Sequence, residues 1–333
     1  MLFGVLLSFV LLFLPVLTLA SNTKADAGRQ EEKQEQWSDE KYELKKHLCP
    51  RETVSTSLVA SVIREDEFEV RCWLDKAKVR LNEFNEDGWN PLLWTAASNQ
   101  LTIAELLLQA GANVNAENEA GDTPLSLAVH VGNVHMLKLL LRFDPNPEPK
   151  MKISSSSPLA IAAMNGHVSI VQILVDAHAD VNSKNSLGRT PLMHAALGGH
   201  KNIVSILIKR GAYVNLQDEN KFSALMIAAS KGYEEIANIL INKGANINLQ
   251  DHTGKTALIW SVIGNHHNIS KALLQDCFDD TVMFKRVCAN HKIRDKEKRS
   301  ALSYAVMYSN TVMGPKLTEL RDIDEKRENS NLR

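Results

Sequence analysis

Histidine is the residue type whose number and spacing in this sequence most invite a catalytic or metal-binding interpretation. The chain carries 11 histidines in 333 residues, and His167, His200 and His266 each follow a glycine or asparagine just before an apolar segment. His266 and His267 are adjacent, but no third metal ligand stands at a suitable spacing. The sequence has no Gly-x-Ser-x-Gly elbow, phosphate-binding loop or His-Glu-x-x-His motif. We therefore predict that the chain is not an enzyme and binds no cofactor or metal.

The four cysteines fall in two pairs that flank the middle of the chain: Cys49 with Cys72, and Cys277 with Cys288. Neither pair has the Cys-x-x-Cys spacing of a zinc site. Four cysteines allow three pairings, and the sequence does not choose among them. We predict disulfides within the flanking pairs if the chain folds in an oxidising compartment, and reduced thiols if it folds in the cytosol.

The elements that must position these residues recur along the chain from Asn85 to Met283. Residues 185–217 read NSLGRTPLMHAALGGHKNIVSILIKRGAYVNLQ, and residues 218–250 read DENKFSALMIAASKGYEEIANILINKGANINLQ. Each segment contains, in order, a turn, a short alanine-rich helical piece, a glycine, a second apolar helix and a Gly-Ala-x-x-Asn ending. One position recurs every 33 or 34 residues, at Pro91, Pro124, Pro158, Pro191, Ala224 and Ala257. Repetition with this period is typical of a solenoid.

Each recurring residue has a physical role in a pair of helices. A Ser, Thr or Asn before the recurring proline is expected to cap the first helix, and proline at the first helical position loses no hydrogen-bonded amide. Alanine pairs such as Ala195-Ala196 let neighbouring helices approach closely. Gly111, Gly211 and Gly244 stand where a second helix ends, and we expect them to form left-handed caps.

These motifs resemble the ankyrin-repeat family over residues 85–283. The resemblance implies an all-α fold, an ankyrin-repeat solenoid of stacked helix-turn-helix units with β-hairpin fingers. It also implies a turn-stabilising role for His167, His200 and His266. Its binding positions would be the finger tips and the ends of the first helices. The positions that we predict to contact a partner are Trp89, Arg189 and Phe222 at tips, and His130, Met164, Leu197 and Ile263 at first-helix ends.

The same spacing predicts the domain boundaries. Six repeats are expected, at 85–117, 118–150, 152–184, 185–217, 218–250 and 251–283. A degenerate capping repeat at 57–84 precedes them, and an insertion at 284–294 and a degenerate capping repeat at 295–320 follow. The charged end, 321–333, is predicted to be disordered. Pro145, Pro147 and Pro149 remove amide donors, so the finger after the second repeat is expected to be longer or looser than the others.

The N-terminal residues are compatible with two cellular locations. Residues 1–20 are almost wholly apolar and end in Thr18-Leu19-Ala20, as a cleaved secretory signal peptide would. The run is also long enough to span a bilayer, and the basic residues after it would then place the repeats in the cytosol. Residues 21–56 are predicted to be a charged linker with one marginal helix near 39–47. Asn268-Ile269-Ser270 is an N-glycosylation sequon.

The bulk composition, with 44% apolar residues, is that of an ordinary folded protein. The net charge is −1, and no run of basic residues with interleaved aromatics appears in the repeats, so no nucleic-acid partner is expected. Our leading hypothesis is a secreted, monomeric, non-catalytic module that binds a protein or peptide. The alternative is a cytosolic scaffold tethered to a membrane by residues 1–20. A third hypothesis places an enzymatic activity in the insertion at 284–294.

Overall fold

The computed structural model describes residues 38–46, 49, 57–76, 79–146, 155–275 and 289–331. The predicted signal peptide or anchor and most of the predicted linker lie outside the described residues, as do Pro147, Pro149, Cys277 and Cys288. The chain divides into two compact units, residues 1–113 and residues 114–333.

The described part of the first unit contains an N-terminal helix followed by two helix pairs. Its helices are Asp39–Lys45, Leu58–Ile63, Glu67–Leu74, Pro91–Ser98 and Leu101–Gln109. The two first helices of these pairs pack against each other, and so do the two second helices. The pair within 57–84 therefore has the repeat architecture even though it lacks the Pro-Leu and Gly-Ala signatures.

The N-terminal helix Asp39–Lys45 is fixed to the helix pair that follows it. Asp39 accepts a hydrogen bond from Arg71 Nη1 at 2.7 Å. The Tyr42 hydroxyl donates to Asp75 Oδ2 at 2.8 Å, and Lys46 Nζ lies 2.5 Å from the same oxygen. The helix predicted near 39–47 is confirmed, but its placement in a solvated linker is wrong, because contacts with residues about thirty positions later fix it to the folded unit.

A disulfide joins Cys49 to Cys72, with 23 residues of sequence separation. Cys72 lies on the buried side of the helix Glu67–Leu74. The bridge therefore attaches the chain after the N-terminal helix to the second helix of the first pair.

The second unit is a row of helix pairs with one pattern. Its described helices are Pro124–Val131, Val134–Leu141, Pro158–Asn165, Val168–Asp176, Pro191–Gly198, Lys201–Lys209, Ala224–Lys231, Glu234–Asn242, Ala257–Ile263, His267–Leu274, Ala301–Met307 and Met313–Asn331. Each first helix packs against its own second helix and against the first helix of the next pair. The all-α repeat fold is confirmed. The alanine pairs at 162–163, 195–196 and 228–229 are fully buried, as close helix packing requires.

The residues that the sequence predicts to be helix caps are found at the helix ends. The residue before each first helix accepts a hydrogen bond from the amide three positions later; these residues are Asn90, Thr123, Ser157, Thr190, Ser223, Thr256 and Ser300. Gly111, Gly211 and Gly244 follow second helices with φ of 92°, 92° and 81°. Both features confirm the predicted caps.

The fingers, which connect a second helix to the next first helix, are turns rather than paired strands. Among the described residues the only isolated β-bridge joins Gln217 to Ser223. Successive fingers are linked to each other instead: the amide of Tyr213 donates to Asn182 Oδ1 at 2.9 Å, and that of Asn246 donates to Asn215 Oδ1 at 2.6 Å. The asparagine of the Gly-Ala-x-x-Asn ending therefore carries a bond from one repeat to the next.

The register is restored before the predicted end of the insertion. The amide of Asn290 donates to Asn248 Oδ1 at 2.7 Å, the bond that successive fingers make elsewhere. Ala289 is buried, as Ala212 is in its own finger. The boundary at 294 is therefore wrong, because residues 289–294 already belong to the last finger. The extra residues fall before 289, outside the described part of the chain.

The C-terminal end is helical where disorder was predicted. The helix Met313–Asn331 begins after Asn310, whose Oδ1 accepts the Met313 amide at 2.9 Å. Met313, Leu317 and Leu320 are buried on one side of it. The prediction of disorder from 321 is wrong for the residues up to 331, because a buried apolar stripe fixes the first half of a helix that then continues through polar residues.

Candidate interaction surface

The three phased histidines contact the backbone of the preceding repeat. His200 Nε2 lies 3.0 Å from the Met164 carbonyl oxygen. His167 and His266 make the same contact with the carbonyls of residues 130 and 230, at 3.4 and 3.3 Å. A carbonyl oxygen only accepts, so the ring N–H is the donor. The turn-stabilising role is confirmed.

The glycines beneath these rings leave no room for a side chain. Gly166 has φ of 80°, and a Cβ there would lie 2.6 Å from His200 Cε1. Tyr233 takes the place of histidine in one repeat, and its ring covers Gly199 in the same way. These histidines are therefore part of the repeat framework.

The predicted contact residues at the first-helix ends are half-buried. His130, Met164, Leu197 and Ile263 all have intermediate exposure. Leu197 and Ile263 also pack partly against the core of the second unit. Burial lowers the pKa of His130, which favours its neutral form. The roles of these residues in binding remain predictions.

The predicted tip residues are also half-buried, and each has a neighbour. Trp89 stands edge-on to Trp94, with ring centroids 5.8 Å apart. Phe222 lies against Trp260, with centroids 5.4 Å apart. Arg189 Nε donates to Asp218 Oδ2 at 3.2 Å, in the next finger. Because the Asp218 side chain is fully buried, part of the Arg189 charge is already neutralised within the framework.

The fingers are built around Asp or Asn side chains that accept backbone amides. Asp295 Oδ1 accepts the amides of Glu297 and Arg299, at 3.0 and 2.9 Å. Its Oδ2 accepts the Tyr304 hydroxyl at 2.6 Å. The same amide contacts recur at Asn85, Asn185 and Asp251. Asp251 and Asp295 are buried, whereas Asn85 and Asn185 are half-buried.

The charge of Asp295 is stabilised by its surroundings. Burial alone would raise the pKa of this carboxyl, but the bond from Tyr304 and the amide and charge of Arg299 lower it by more, so it lies below its ordinary value. Asp295 therefore stays ionised at neutral pH. Lys255 Nζ, at 3.9 Å, and Arg299 Nε, at 3.5 Å, both face its Oδ2.

Rings and cations alternate across the last three repeats, in a set that we call the ring–cation row. Its members are Phe222, Lys255, Trp260, Arg299, Tyr304 and Tyr308. Lys255 Nζ lies 5.7 Å from the Trp260 ring and 6.0 Å from the Tyr304 ring. The Arg299 guanidinium lies 4.8 Å from Tyr304, and Tyr308 stacks on the same ring at 6.2 Å. Contacts of this kind hold cations beside aromatic faces.

Sequence reasoning missed the apolar residues at the end of this row. Val306, Met307 and Tyr308 are 70%, 54% and 55% exposed. Val306 matches Val262 of the preceding repeat, which is only 1% exposed because the next first helix covers it. In the sequence, Ala301 follows the recurring position Ala257 by 44 residues, and the same offset makes Met307 equivalent to Ile263. That alignment would have identified these residues.

Two other kinds of site are not seen in the described part of the chain. No group of three or more His, Cys, Asp or Glu side chains there could hold a metal ion. Within the same residues, no helix is both long and apolar enough to cross a bilayer. Residues 1–20, on which the anchor hypothesis rests, are not among them.

Comparison with known protein families decides the assignment. A family model described as ankyrin repeats (3 copies) matches residues 113–185, 159–251 and 225–324, and one described as ankyrin repeat matches residues 87–119. These matches cover well over half of the chain. The chain belongs to the ankyrin-repeat family. Ankyrin repeats are protein–protein interaction modules, so the surface that matters is the one left free by the framework.

Individual ankyrin-repeat relatives match only parts of this chain. An ankyrin repeat protein of fowlpox virus (strain NVSL) is 35% identical over 103 residues, which are 30% of this chain and 17% of the viral protein. Human ankyrin repeat domain-containing protein 63 is 31% identical over 137 residues, 39% of this chain and 35% of its own. The E3 ubiquitin-protein ligase XBAT33 of Arabidopsis thaliana is 29% identical over 140 residues, 41% and 27% of the two chains. This chain thus spans about a third or less of these relatives.

Proposed function

We propose that this ankyrin-repeat protein is a non-catalytic, monomeric module that binds a protein or peptide through its finger tips and first-helix ends. The proposal rests on the observation that different residues stabilise the repeats and occupy the finger tips. The phased histidines and buried finger carboxylates hold the repeats together, while the tips keep half-exposed aromatic side chains. Half-exposed aromatic residues are favoured anchors in protein interfaces.

A capture experiment tests this function. Immobilised wild-type protein is compared with Trp89→Ala/Phe222→Ala, and bound proteins are identified from a lysate of the source cells. We expect the double variant to lose the partners that the wild type retains. Tyr213→Ala is the matched control, since Tyr213 is 66% exposed but is not at a predicted contact position. Identical captured proteins for the wild type and the double variant would contradict the proposed surface.

We also propose that the chain enters the secretory pathway. The disulfide between Cys49 and Cys72 supports this, because such bridges persist in oxidising compartments. Asn268 supports it as well: its side chain is exposed on the helix His267–Leu274, where a sugar would meet solvent. Ser270 of the sequon is fully buried and bonded to Ser261, so sugar transfer would have to precede folding.

N-terminal sequencing of the mature chain and a glycosidase shift test the localisation. A start at Ser21 with a sugar on Asn268 would exclude the alternative, a membrane-tethered cytosolic scaffold. An intact apolar N-terminus without a sugar, on a chain whose Cys49 and Cys72 are reduced, would exclude secretion and favour the tethered scaffold.

A further inference from the structure

The fingers of the last four repeats present an excess of positive charge to solvent. These basic fingers comprise residues 184–189, 218–222, 251–255 and 294–299. Their exposed charged side chains are the basic Lys184, Lys221, Arg294, Lys296 and Lys298, against the acidic Glu219 and Glu297. The remaining acids, Asp218, Asp251 and Asp295, are buried and bonded within the finger turns. This excess is not apparent from the net charge of the sequence, because buried and exposed acids contribute equally to it.

Another finger of the same unit has the opposite sign. Glu117 and Glu119 are exposed, and residues 114–122 contain no basic side chain. The sign of the exposed charge therefore changes along the fingers of the second unit, which are acidic near residue 117 and basic from residue 184 onward. A partner segment that lies along the fingers is favoured in the orientation that places its own acidic part over the basic fingers.

Apolar contact area accompanies this positive charge. The ring–cation row runs from the finger at 218–222 to Tyr308, and its rings Phe222 and Trp260 are half-exposed. At the end of the last first helix, the exposed Met307 adds apolar surface beside the exposed Tyr308 of this row. A ligand held by charge alone would not need these rings, whereas a peptide with apolar side chains would bury them.

Resting on the proposed binding function, we propose that the basic fingers and the ring–cation row bind an acidic peptide segment that also carries apolar side chains. A nucleic acid fits less well. Duplex DNA places one charge about every 1.7 Å, a density that five exposed cations in three of the four fingers do not match. A long phosphate backbone would also meet Glu117 and Glu119 at the other end of the same unit.

Fluorescence anisotropy with three labelled probes tests the proposal on the full-length protein. The probes are a peptide of alternating Glu and Leu, a peptide of alternating Lys and Leu, and a double-stranded DNA oligonucleotide. We expect the Glu/Leu peptide to bind at least about tenfold more tightly than either other probe, and its affinity to fall as salt rises. Equal or tighter binding of the DNA would overturn the peptide assignment, and preference for the Lys/Leu peptide would overturn the charge argument.

Two variants locate the site. Lys184→Glu/Lys296→Glu reverses two exposed charges in separate fingers, and we expect it to weaken Glu/Leu peptide binding about tenfold. Lys209→Glu/Lys243→Glu makes the same charge change at exposed second-helix ends and should leave binding within about twofold. Circular dichroism checks that both fold. If both pairs weaken binding equally, the basic fingers are not the site.

Tyr308→Ala tests the apolar contribution separately. We expect it to weaken the Glu/Leu peptide several-fold and to leave binding of a matched Glu/Ser peptide unchanged. Equal loss for both peptides would show that the ring–cation row makes no apolar contact.

Failure of the acidic partner and failure of the binding function give different results. If no acidic peptide binds, but Trp89→Ala/Phe222→Ala still loses captured partners, the binding function stands and the acidic partner is wrong. If acidic peptide binding survives that double variant and its captured proteins are unchanged, the predicted tip surface is wrong instead.

Discussion

At the N-terminal end the helix Asp39–Lys45 is fixed by hydrogen bonds, ion pairs and a disulfide, whereas at the C-terminal end the helix Met313–Asn331 is fixed by a buried apolar stripe. The first kind of attachment depends on charge state and redox state. The second depends on packing and is insensitive to both. The two ends of the described chain should therefore fail under different conditions.

The largest expected effect is at the C-terminal end. Leu317 is fully buried, so Leu317→Ala should lower the free energy of unfolding by about 2–5 kcal/mol, through lost burial and the cavity left behind. Hydrogen exchange should report the loss in residues 301–331. Val306→Ala, at a 70% exposed valine of the same region, is the control and should have little effect. An unchanged exchange pattern for Leu317→Ala would show that packing does not hold this end.

Reduction should loosen the opposite end. Dithiothreitol is expected to destabilise the first unit by about 2–4 kcal/mol, because the bridge from Cys49 to Cys72 no longer restricts the unfolded chain. Faster exchange in residues 39–76, with residues 301–331 unaffected, is the expected result. Cys49→Ser/Cys72→Ser serves as the control, since it retains the other cysteines and should not respond. A response of equal size in the control would remove the bridge as the cause.

Acid should lower the free energy of unfolding through His194, which lies between the two ends in the sequence. This side chain is 7% exposed, and burial, with a smaller effect of the Arg189 charge, lowers its pKa to about 4. The neutral form is favoured in the folded state, so its contribution is present above pH 6.5 and is lost as the pH falls toward 4. Between pH 8 and pH 5 the loss is about 2 kcal/mol. His194→Gln should remove that part of the pH dependence in urea unfolding, and an unchanged slope would contradict it.

The smallest expected effect concerns a polar contact between the C-terminal helix and the last finger. Asp324 lies 3.4 Å from His291 Nε2 and 3.2 Å from Lys292 Nζ. Asp324→Asn should cost about 0.5–1 kcal/mol. Asp322→Asn, on the same helix and paired with the adjacent Arg321, is the control. Thermal unfolding at two salt concentrations measures both, and equal effects would show that the attachment contributes nothing specific.

The repeat plan could be predicted because its signals are local. The caps at Thr190 and Ser223, the left-handed Gly211 and the stacked alanines each act within a few residues, and the structure has them where the sequence indicates. His200 was assigned correctly from the resemblance alone. The periodic residues therefore carry enough information to define a repeat without any tertiary coordinates.

Contacts with distant partners could not be predicted from local patterns. The sequence predicts the helix Asp39–Lys45, but not its attachment to the folded unit through Arg71 and Asp75. It also does not predict the contact of Arg189 with Asp218, and the binding role of Arg189 stays a prediction. Each of these contacts joins residues about thirty positions apart, beyond the range of a helix or a turn.

The sequence by itself determined the repeat length, the helix pairs, the family and the framework histidines, because spacing and capping chemistry act between near neighbours along the chain. Tertiary structure alone decided which charges are hidden and which are displayed. Asp218 and Asp295 are written as ordinary acids, yet the folded chain buries them in its turns and leaves lysines outside. Burial is a property of the packed repeats, and the sign of the binding surface follows from it.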